Sequence, residues 1–215
     1  MKRDDKMKFD ITLYLVTDST NLEEKVFLSK VEQACRGGVT MLQLREKEKS
    51  DRDFLSLALE VKKITDKYGI PLIIDDRLDI ALASGASGVH LGQSDMPISV
   101  ARKLMGKDKI IGATTKTVSQ AKKAVEEGAD YLGVGAIYPT TTKVVTVITE
   151  VSTLNDICNA VDIPVLAIGG LNKDNCDVLK NSPIDGIAVV SAIMKDENPE
   201  KAASELKSKI LSMIK

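Results

Sequence analysis

Residues 43–47 read Gln-Leu-Arg-Glu-Lys. In an extended chain, period two puts Gln43, Arg45 and Lys47 on one face and Leu44 and Glu46 on the other. An amide and two cations pointing together suit an anion with several oxygens: arginine offers a fixed fork, lysine a point charge. The plainer reading is one salt bridge and a solvated strand end. Asp75 and Asp76 close the apolar run "IPLIIDD", and Asp95 follows in "GQSD". Carboxylates beside cations are what Mg²⁺ on a phosphorylated substrate needs. An isolated acidic pair can equally cap the next helix. The stretch "VGAIYPTTTKVVT" carries three hydroxyls, Thr140, Thr141 and Thr142, and then Lys143, directly after an apolar run. Thr114 and Lys116 end another such run, "GATTK". A glycine pair at 169–170 lets backbone amides approach a ligand, and Ser191 stands where a helix would begin.

These groups need elements to bring them together. Strand candidates fall at 12–17, 39–45, 70–75, 87–92, 109–114, 130–135, 163–169 and 185–191. Helix candidates fall at 22–36, 51–68, 77–84, 97–105, 117–128, 150–160, 173–180 and 199–214. The strands are continuously apolar rather than alternating, as in parallel sheets buried on both faces. Eight β/α pairs in 215 residues predict a single-domain α/β fold, a closed (β/α)8 barrel over residues 1–215, with residues 1–10 a short N-terminal extension. An open doubly wound sheet is the runner-up. Glycines in "RGGV", "EEGADY" and "ASGASGV" suit left-handed helix caps, and Thr117 with Gln120 resembles a capping box. No short-period sequence repeat stands out beyond the β/α alternation.

In a barrel of this kind the site lies at the C-terminal ends of the strands. Strand order then sets two phosphate-handling zones. The ends of strands 2 to 4 carry cations and carboxylates. The ends of strands 7 and 8 carry the glycine pair and Ser191. The threonine-rich loop lies between them. That arrangement suits joining a diphosphate substrate to a monophosphate substrate.

Composition removes other classes. The net charge is −1, so the chain has no global field for nucleic acid or an anionic membrane. Aromatics make up 3% of residues and tryptophan is absent, which argues against a stacking platform for single strands. The apolar runs are too short to span a bilayer, and the charged N-terminus reads as no secretory signal. Cys35, Cys158 and Cys176 read as reduced thiols, which predicts a cytoplasmic protein. The one histidine, His90, lies in the apolar "GVHLG" and reads as a packed or hydrogen-bonded strand residue rather than a catalyst. No nucleophile elbow, P-loop or dinucleotide fingerprint is present. Oligomeric state is left open, a homo-oligomer included.

In order along the chain, "YLVTD", "QLREK", "IIDDRLDIA", "GVHLGQSD", "GADYLGVGAIYPTTTK", "IPVLAIGG" and "GIAVVSAI" resemble the thiamine-phosphate synthase (thiamine-phosphate pyrophosphorylase) family. The resemblance implies a transferase of thiamine biosynthesis. It would join 4-amino-2-methyl-5-(diphosphooxymethyl)pyrimidine to hydroxyethylthiazole phosphate and release pyrophosphate, by dissociative loss of that group and capture of a methylene cation. It implies that Gln43, Leu44, Arg45, Glu46 and Lys47 contact the pyrimidine diphosphate, with Arg45 and Lys47 on its phosphates. One Mg²⁺ would bind Asp76 and Asp95, beside Asp75. Thr114 would meet the pyrimidine side, and Thr140, Thr141 and Thr142 the thiazole phosphate. Lys143 would meet the diphosphate, and Gly170, Val190 and Ser191 would complete the thiazole-phosphate site. Catalytic roles would fall to Arg45, Lys47, Lys143 and Thr114.

The chain departs from the family pattern at Asp75, usually asparagine, and at Thr114-Thr115-Lys116, usually serine-X-histidine. It also departs in the apolar "VVTVIT" after Lys143. A related thiazole tautomerase, and a catalytically weak barrel that binds thiamine precursors, are the competing readings.

Overall fold

The computed structural model describes residues 9–140 and 147–214. Most of the expected N-terminal extension, and Thr141, Thr142 and Lys143, lie outside the described residues.

Eight parallel strands close into a barrel in sequence order: β1 (Leu13–Val16), β2 (Met41–Leu44), β3 (Leu72–Asp75), β4 (Gly88–Leu91), β5 (Ile110–Thr115), β6 (Tyr131–Gly135), β7 (Val165–Ile168) and β8 (Gly186–Val189). β1 pairs with β8 through Leu13 opposite Ile187, which removes both sheet edges. Every strand lies inside its expected segment, with ends up to two residues short, except β5, which runs one residue past it to Thr115. The reason is burial on both faces. One face meets the helices and the other the barrel interior, so each strand reads as an unbroken apolar run.

Helices α1 (Glu24–Arg36), α2 (Asp51–Lys67), α3 (Leu78–Ser84), α4 (Ile98–Met105), α5 (Val118–Glu126), α6 (Val151–Ala160), α7 (Ser191–Met194) and α8 (Pro199–Met213) form the outer layer. α2 shows the local logic. Ser50 caps it by accepting from the Asp53 amide at 3.2 Å. Phe54, Leu57, Ala58, Val61 and Thr65 recur at helical spacing and form its buried face. The expected capping box at α5 is modified. Thr117 accepts from the Gln120 amide, but Gln120 Oε1 reaches back to the amide of Lys116 rather than to that of Thr117.

The helix expected at 173–180 is corrected. Only a 3-10 turn, Cys176–Leu179, forms there. Asn172 Oδ1 accepts from the amides of Asp174 and Asn175, and Asn175 Oδ1 accepts from Asn172. These short side chains satisfy the backbone locally and so compete with helix formation. α7, four residues long, occupies the end of the strand expected to reach residue 191.

The base of the barrel carries a repeat that the sequence hides. Thr40, Ser87, Asp130 and Asp185 each stand one residue before an even-numbered strand. Each accepts, through its side-chain oxygen, from an amide in the first turn of the preceding odd strand. The pairs are Leu13 N to Thr40 Oγ1 (3.0 Å), Leu72 N to Ser87 Oγ (3.3 Å), Ile111 N to Asp130 Oδ2 (2.8 Å) and Val165 N to Asp185 Oδ2 (2.8 Å). Each residue's own amide then donates to the carbonyl of that same partner, at 2.7 to 2.9 Å. Four two-point clamps therefore pair the strands as β1β2, β3β4, β5β6 and β7β8. They satisfy backbone groups that would otherwise start the ladder unpaired.

Arg102 in α4 reinforces the third clamp. Its guanidinium donates to the carbonyls of Gly106, Lys109 and Gly128 and pairs with Asp130. This cluster lies at the opposite end of the barrel from the strand C-termini. Arg102→Ala should lower unfolding free energy by about 2 kcal/mol, the scale of hydrogen bonds to a charged group. Turnover per folded molecule should not change. Urea midpoints and specific activity measured side by side check both halves.

Candidate active site

The barrel interior is filled by its largest side chains and vacated by its smallest. Tyr14 and Tyr131 are fully buried and meet edge to face, their ring centroids 5.8 Å apart. Gly112 makes room for them. A methyl group at Gly112 would lie 2.1 Å from Cζ of Tyr131 and 2.5 Å from Nδ1 of His90. The tyrosine pair fills the barrel, and a cavity of about 370 Å³ opens at the strand C-termini.

Gln43, Arg45 and Lys47 all line that cavity, as the period-two reading expects. Thr17, buried beside them, accepts from the Arg45 amide at 3.2 Å and holds the chain extended past the end of β2. Leu44 and Glu46 face elsewhere. Leu44 is buried in the layer between barrel and helices, and Glu46 accepts from Ser19 at 2.8 Å. Burial pushes the Glu46 carboxyl above its usual range, opposed by the Ser19 hydrogen bond. Neither side chain lines the cavity.

Asp75 ends β3, and Asp76 follows at φ +60°. The Arg77 amide donates to the Asp75 carbonyl at 2.7 Å, a tight three-residue turn centred on Asp76, whose own amide bonds the His90 carbonyl at 2.9 Å. Aspartate tolerates this left-handed conformation better than most side chains. Asp95 is placed by its own turn, where its carboxylate accepts from the Gly92 amide at 2.6 Å.

The three carboxylates and two cations form one cluster. Lys47 Nζ lies 2.8 Å from Asp75 and also bonds Asp76, while Arg45 Nε lies 3.7 Å from Asp75. Asp95 lies beside Asp76, and each carboxyl bears on the ionisation of the other. Burial pushes the Asp75 carboxyl up, with the charge of Asp76 adding to it and Lys47 opposing. Burial also acts on Asp76, but hydrogen bonds from Lys47 and Asp95 outweigh it and hold that carboxyl low. Asp95 is pushed up by partial burial and by Asp76, against the Gly92 amide. Burial lowers the Lys47 ammonium pKa, but its two carboxylate partners outweigh that and raise it.

Asp76 and Asp95 thus form a hard, all-oxygen donor pair facing the cavity, the chemistry that suits Mg²⁺. Among the described residues no group of three or more His, Cys, Asp or Glu is arranged to hold a metal. An ion bound by this pair alone would have to take its remaining ligands from water and substrate.

On the far side, Gly170, Val190 and Ser191 line the same cavity, with Thr140 and Thr114. The glycine pair has a reason beyond ligand approach. Gly169 and Gly170 adopt φ +102° and +66°, and a methyl on Gly170 would come 2.7 Å from the Pro139 carbonyl. The loop after β6 packs directly onto them. Ile137 and Tyr138 donate to the carbonyls of Ile168 and Gly169, both at 3.0 Å. That docking places Thr140 at the rim. Lys116 also lines the cavity and reaches the Val147 carbonyl at 3.4 Å.

The cavity also contains Lys116, expected at the end of strand 5, and three residues to which the sequence reading gave no site role: Tyr14, Gln93 and His90. His90 is hydrogen-bonded as expected, through both ring nitrogens, to Tyr131 and Thr114. Gly112 inside the apolar "IIGAT" was a usable signal, since glycine within a strand marks close approach by another group.

A closed eight-stranded barrel, with a cavity lined by charged and polar side chains over a packed interior, defines a (β/α)8-barrel enzyme, its site at the C-terminal face. Residues 13–193 match the family model described as thiamine monophosphate synthase. The thiamine-phosphate synthase of Clostridium tetani is 51% identical over 92% of this chain and 94% of that protein. The one from Methanobrevibacter smithii is 52% identical over the same shares. Among solved structures, the thiamine phosphate pyrophosphorylase from Pyrococcus furiosus superposes with a TM-score of 0.87 at 37% identity, covering 95% of this chain and 98% of that one. A 3-hexulose-6-phosphate synthase, at 17% identity and a TM-score of 0.72, shares the fold. The chain belongs to the thiamine monophosphate synthase family and is a transferase. No helix among the described residues is long and apolar enough to cross a membrane.

The family position of Asp75 yields a test. Asparagine there would remove a buried negative charge beside Arg45 and Lys47. Asp75→Asn should bind inorganic pyrophosphate, titrated calorimetrically with Mg²⁺, about three- to tenfold more tightly. Weaker binding would show that Asp75 itself organises the anion site.

Proposed function

We propose that the chain condenses 4-amino-2-methyl-5-(diphosphooxymethyl)pyrimidine with hydroxyethylthiazole phosphate to give thiamine phosphate and pyrophosphate. One observation carries this reading. A single cavity has Arg45, Lys47 and three carboxylates on one side and Gly170, Val190 and Ser191 on the other, with Thr140 also at its rim. Two phosphorylated substrates held there would meet between the two groups. The 51–52% identical relatives, both thiamine-phosphate synthases by name, support the same conclusion.

The methylene C–O bond breaks first, its electron pair leaving with the diphosphate. Arg45 and Lys47 offset the charge that builds on that group, and the resemblance adds Lys143, outside the described residues. Mg²⁺ held by Asp76 and Asp95 would supply further charge neutralisation on the leaving oxygens. Thr114 and Gln43 hold the pyrimidine, whose amino group stabilises the methylene cation. The thiazole nitrogen then donates its lone pair to that carbon. Gly170 and Ser191 fix the thiazole phosphate so that the nitrogen is in line. No proton leaves the nitrogen, so no general base is required, and the one histidine is free for a structural duty. Three free, buried cysteines fit a reducing, cytoplasmic setting.

Purified protein with both substrates and Mg²⁺ should form thiamine phosphate and release pyrophosphate, and neither substrate alone should yield product. Absence of product from the complete mixture would leave the reading to a barrel that merely binds thiamine precursors. Asp95→Ala and Lys143→Ala should each lower kcat/KM about 100-fold or more with an unchanged far-ultraviolet spectrum. Near-normal turnover in either variant removes that residue from the mechanism.

A further inference from the structure

Along the cavity floor, polar side chains cross the barrel interior in single file. Gln43 Nε2 donates to Tyr14 Oη at 3.0 Å. The hydroxyls of Tyr14 and Tyr131 lie 2.8 Å apart. Tyr131 Oη is 2.9 Å from His90 Nδ1, and His90 Nε2 is 2.9 Å from Thr114 Oγ1. The chain runs through β2, β1, β6, β4 and β5. Gln43, Tyr14, Tyr131 and His90 are only 0–9% exposed, although all but Tyr131 border the cavity, so most of their hydrogens are committed within the chain.

The direction of this chain follows from counting hydrogens. A hydroxyl has one to give. The Gln43 amide occupies Tyr14 as an acceptor, which leaves the Tyr14 hydrogen for Tyr131. The Tyr131 hydrogen then goes to Nδ1 of His90, which must accept. The imidazole hydrogen therefore sits on Nε2 and is donated to Thr114. Thr114 Oγ1, already accepting, has its own hydrogen left for the cavity. In the opposite order Tyr14 would accept from both neighbours, and its buried hydrogen would lack an acceptor in the chain, an unfavourable state. Burial pushes both phenols above their ordinary range, Tyr131 further helped by the nearby Tyr14 and Tyr14 opposed by its hydrogen bonds, so both keep the hydrogens the count requires.

We propose that Gln43, Tyr14 and Tyr131 lock His90 in its Nε2–H tautomer, and that His90 in turn presents the Thr114 hydroxyl to the cavity as an oriented donor. Thr114 then recognises a hydrogen-bond acceptor on the substrate, and Tyr131 and His90 are positioning residues that touch no reacting atom. The substrate half of this rests on the synthase reading above; the tautomer half does not. Gly112 belongs to the same device, since any side chain there would displace both Tyr131 and His90.

With one histidine in the chain, a long-range ¹⁵N–¹H correlation spectrum of the ligand-free protein reports this tautomer without assignment. The expected pattern at neutral pH is a protonated Nε2 and a bare Nδ1. An Nδ1–H tautomer, or an imidazolium, overturns the proposal whether or not the protein makes thiamine phosphate. Tyr131→Phe keeps the ring and breaks the chain. It should convert the single pattern to a tautomer mixture and lower kcat about tenfold, the effect of one lost oriented hydrogen bond. KM should stay within about twofold. If Tyr131→Phe does not fold, Tyr14→Phe interrupts the chain one step earlier and is read by the same spectrum and the same kcat. An unchanged tautomer and unchanged kcat in the folded variant overturn the positioning role.

Discussion

Everything at the rim depends on closure of the parallel ladder at the base. A barrel leaves no edge, but it must still satisfy the first amides of each strand where the ladder begins. Thr40, Ser87, Asp130 and Asp185 do this pairwise. The links from even to odd strands start with backbone bonds, joined at β4 and β5 by the Lys109 ammonium on the Ala86 carbonyl. Leu42 and Leu132 donate to the carbonyls of Pro71 and Pro164, and Ile110 and Ile187 to those of Ser87 and Thr12. Proline costs little there, because it lacks only the donor and these contacts use its carbonyl. The result is four clamped strand pairs joined by four simpler seams, a quarter-barrel repeat built from non-identical residues.

With the base fixed, register decides what faces inward. In β2 the alternation that buries Leu42 and Leu44 against the helices turns Met41 and Gln43 into the barrel. The same step repeated after the strand delivers Arg45 and Lys47 to the rim. In β4 and β5 it turns His90 and Gly112 inward at matched heights, paired across the ladder. A slip of one residue in any strand would exchange these sets and place apolar side chains in the cavity. The two tyrosines make such slips costly, because their hydroxyls must meet each other and a specific neighbour in a space that admits no extra methyl group.

The strands were legible because burial on both faces writes a continuous apolar run, and the rim residues because strand ends are where such barrels keep their chemistry. Gln43, Arg45, Lys47, Asp75, Asp76, Asp95, Thr114, Thr140, Gly170, Val190 and Ser191 all line one cavity. What escaped depends on side chains that satisfy the backbone or one another. Asn172 and Asn175 suppressed the expected 173–180 helix by bonding their own loop. The base clamps escaped because threonine, serine and aspartate share nothing in sequence except an oxygen within reach of a neighbouring amide. The Tyr14–Tyr131–His90 chain joins residues 41 and 117 positions apart, which no local pattern encodes.

The same reasoning explains why the carboxylate cluster and the polar chain, although neighbours, take different hydrogen-bond partners. Both begin at the cavity floor, and Asp75 and His90 are directly paired across β3 and β4. Asp75 spends its charge on Lys47 and Arg45, on the side of β2. His90 points toward β5 and β6 and spends both ring nitrogens on hydroxyls. The carboxylate–cation cluster thereby keeps to the ends of β2 to β4, while the end of β5 carries the Thr114 hydroxyl with Lys116 beside it. A substrate with a charged diphosphate and a neutral heteroaromatic ring would find each part matched at its own set of strand ends. In the proposed reaction, the charge on the departing group would be met by cations already held in place. The ring would be oriented by the Thr114 hydroxyl, its direction set, on the inference above, from inside the barrel.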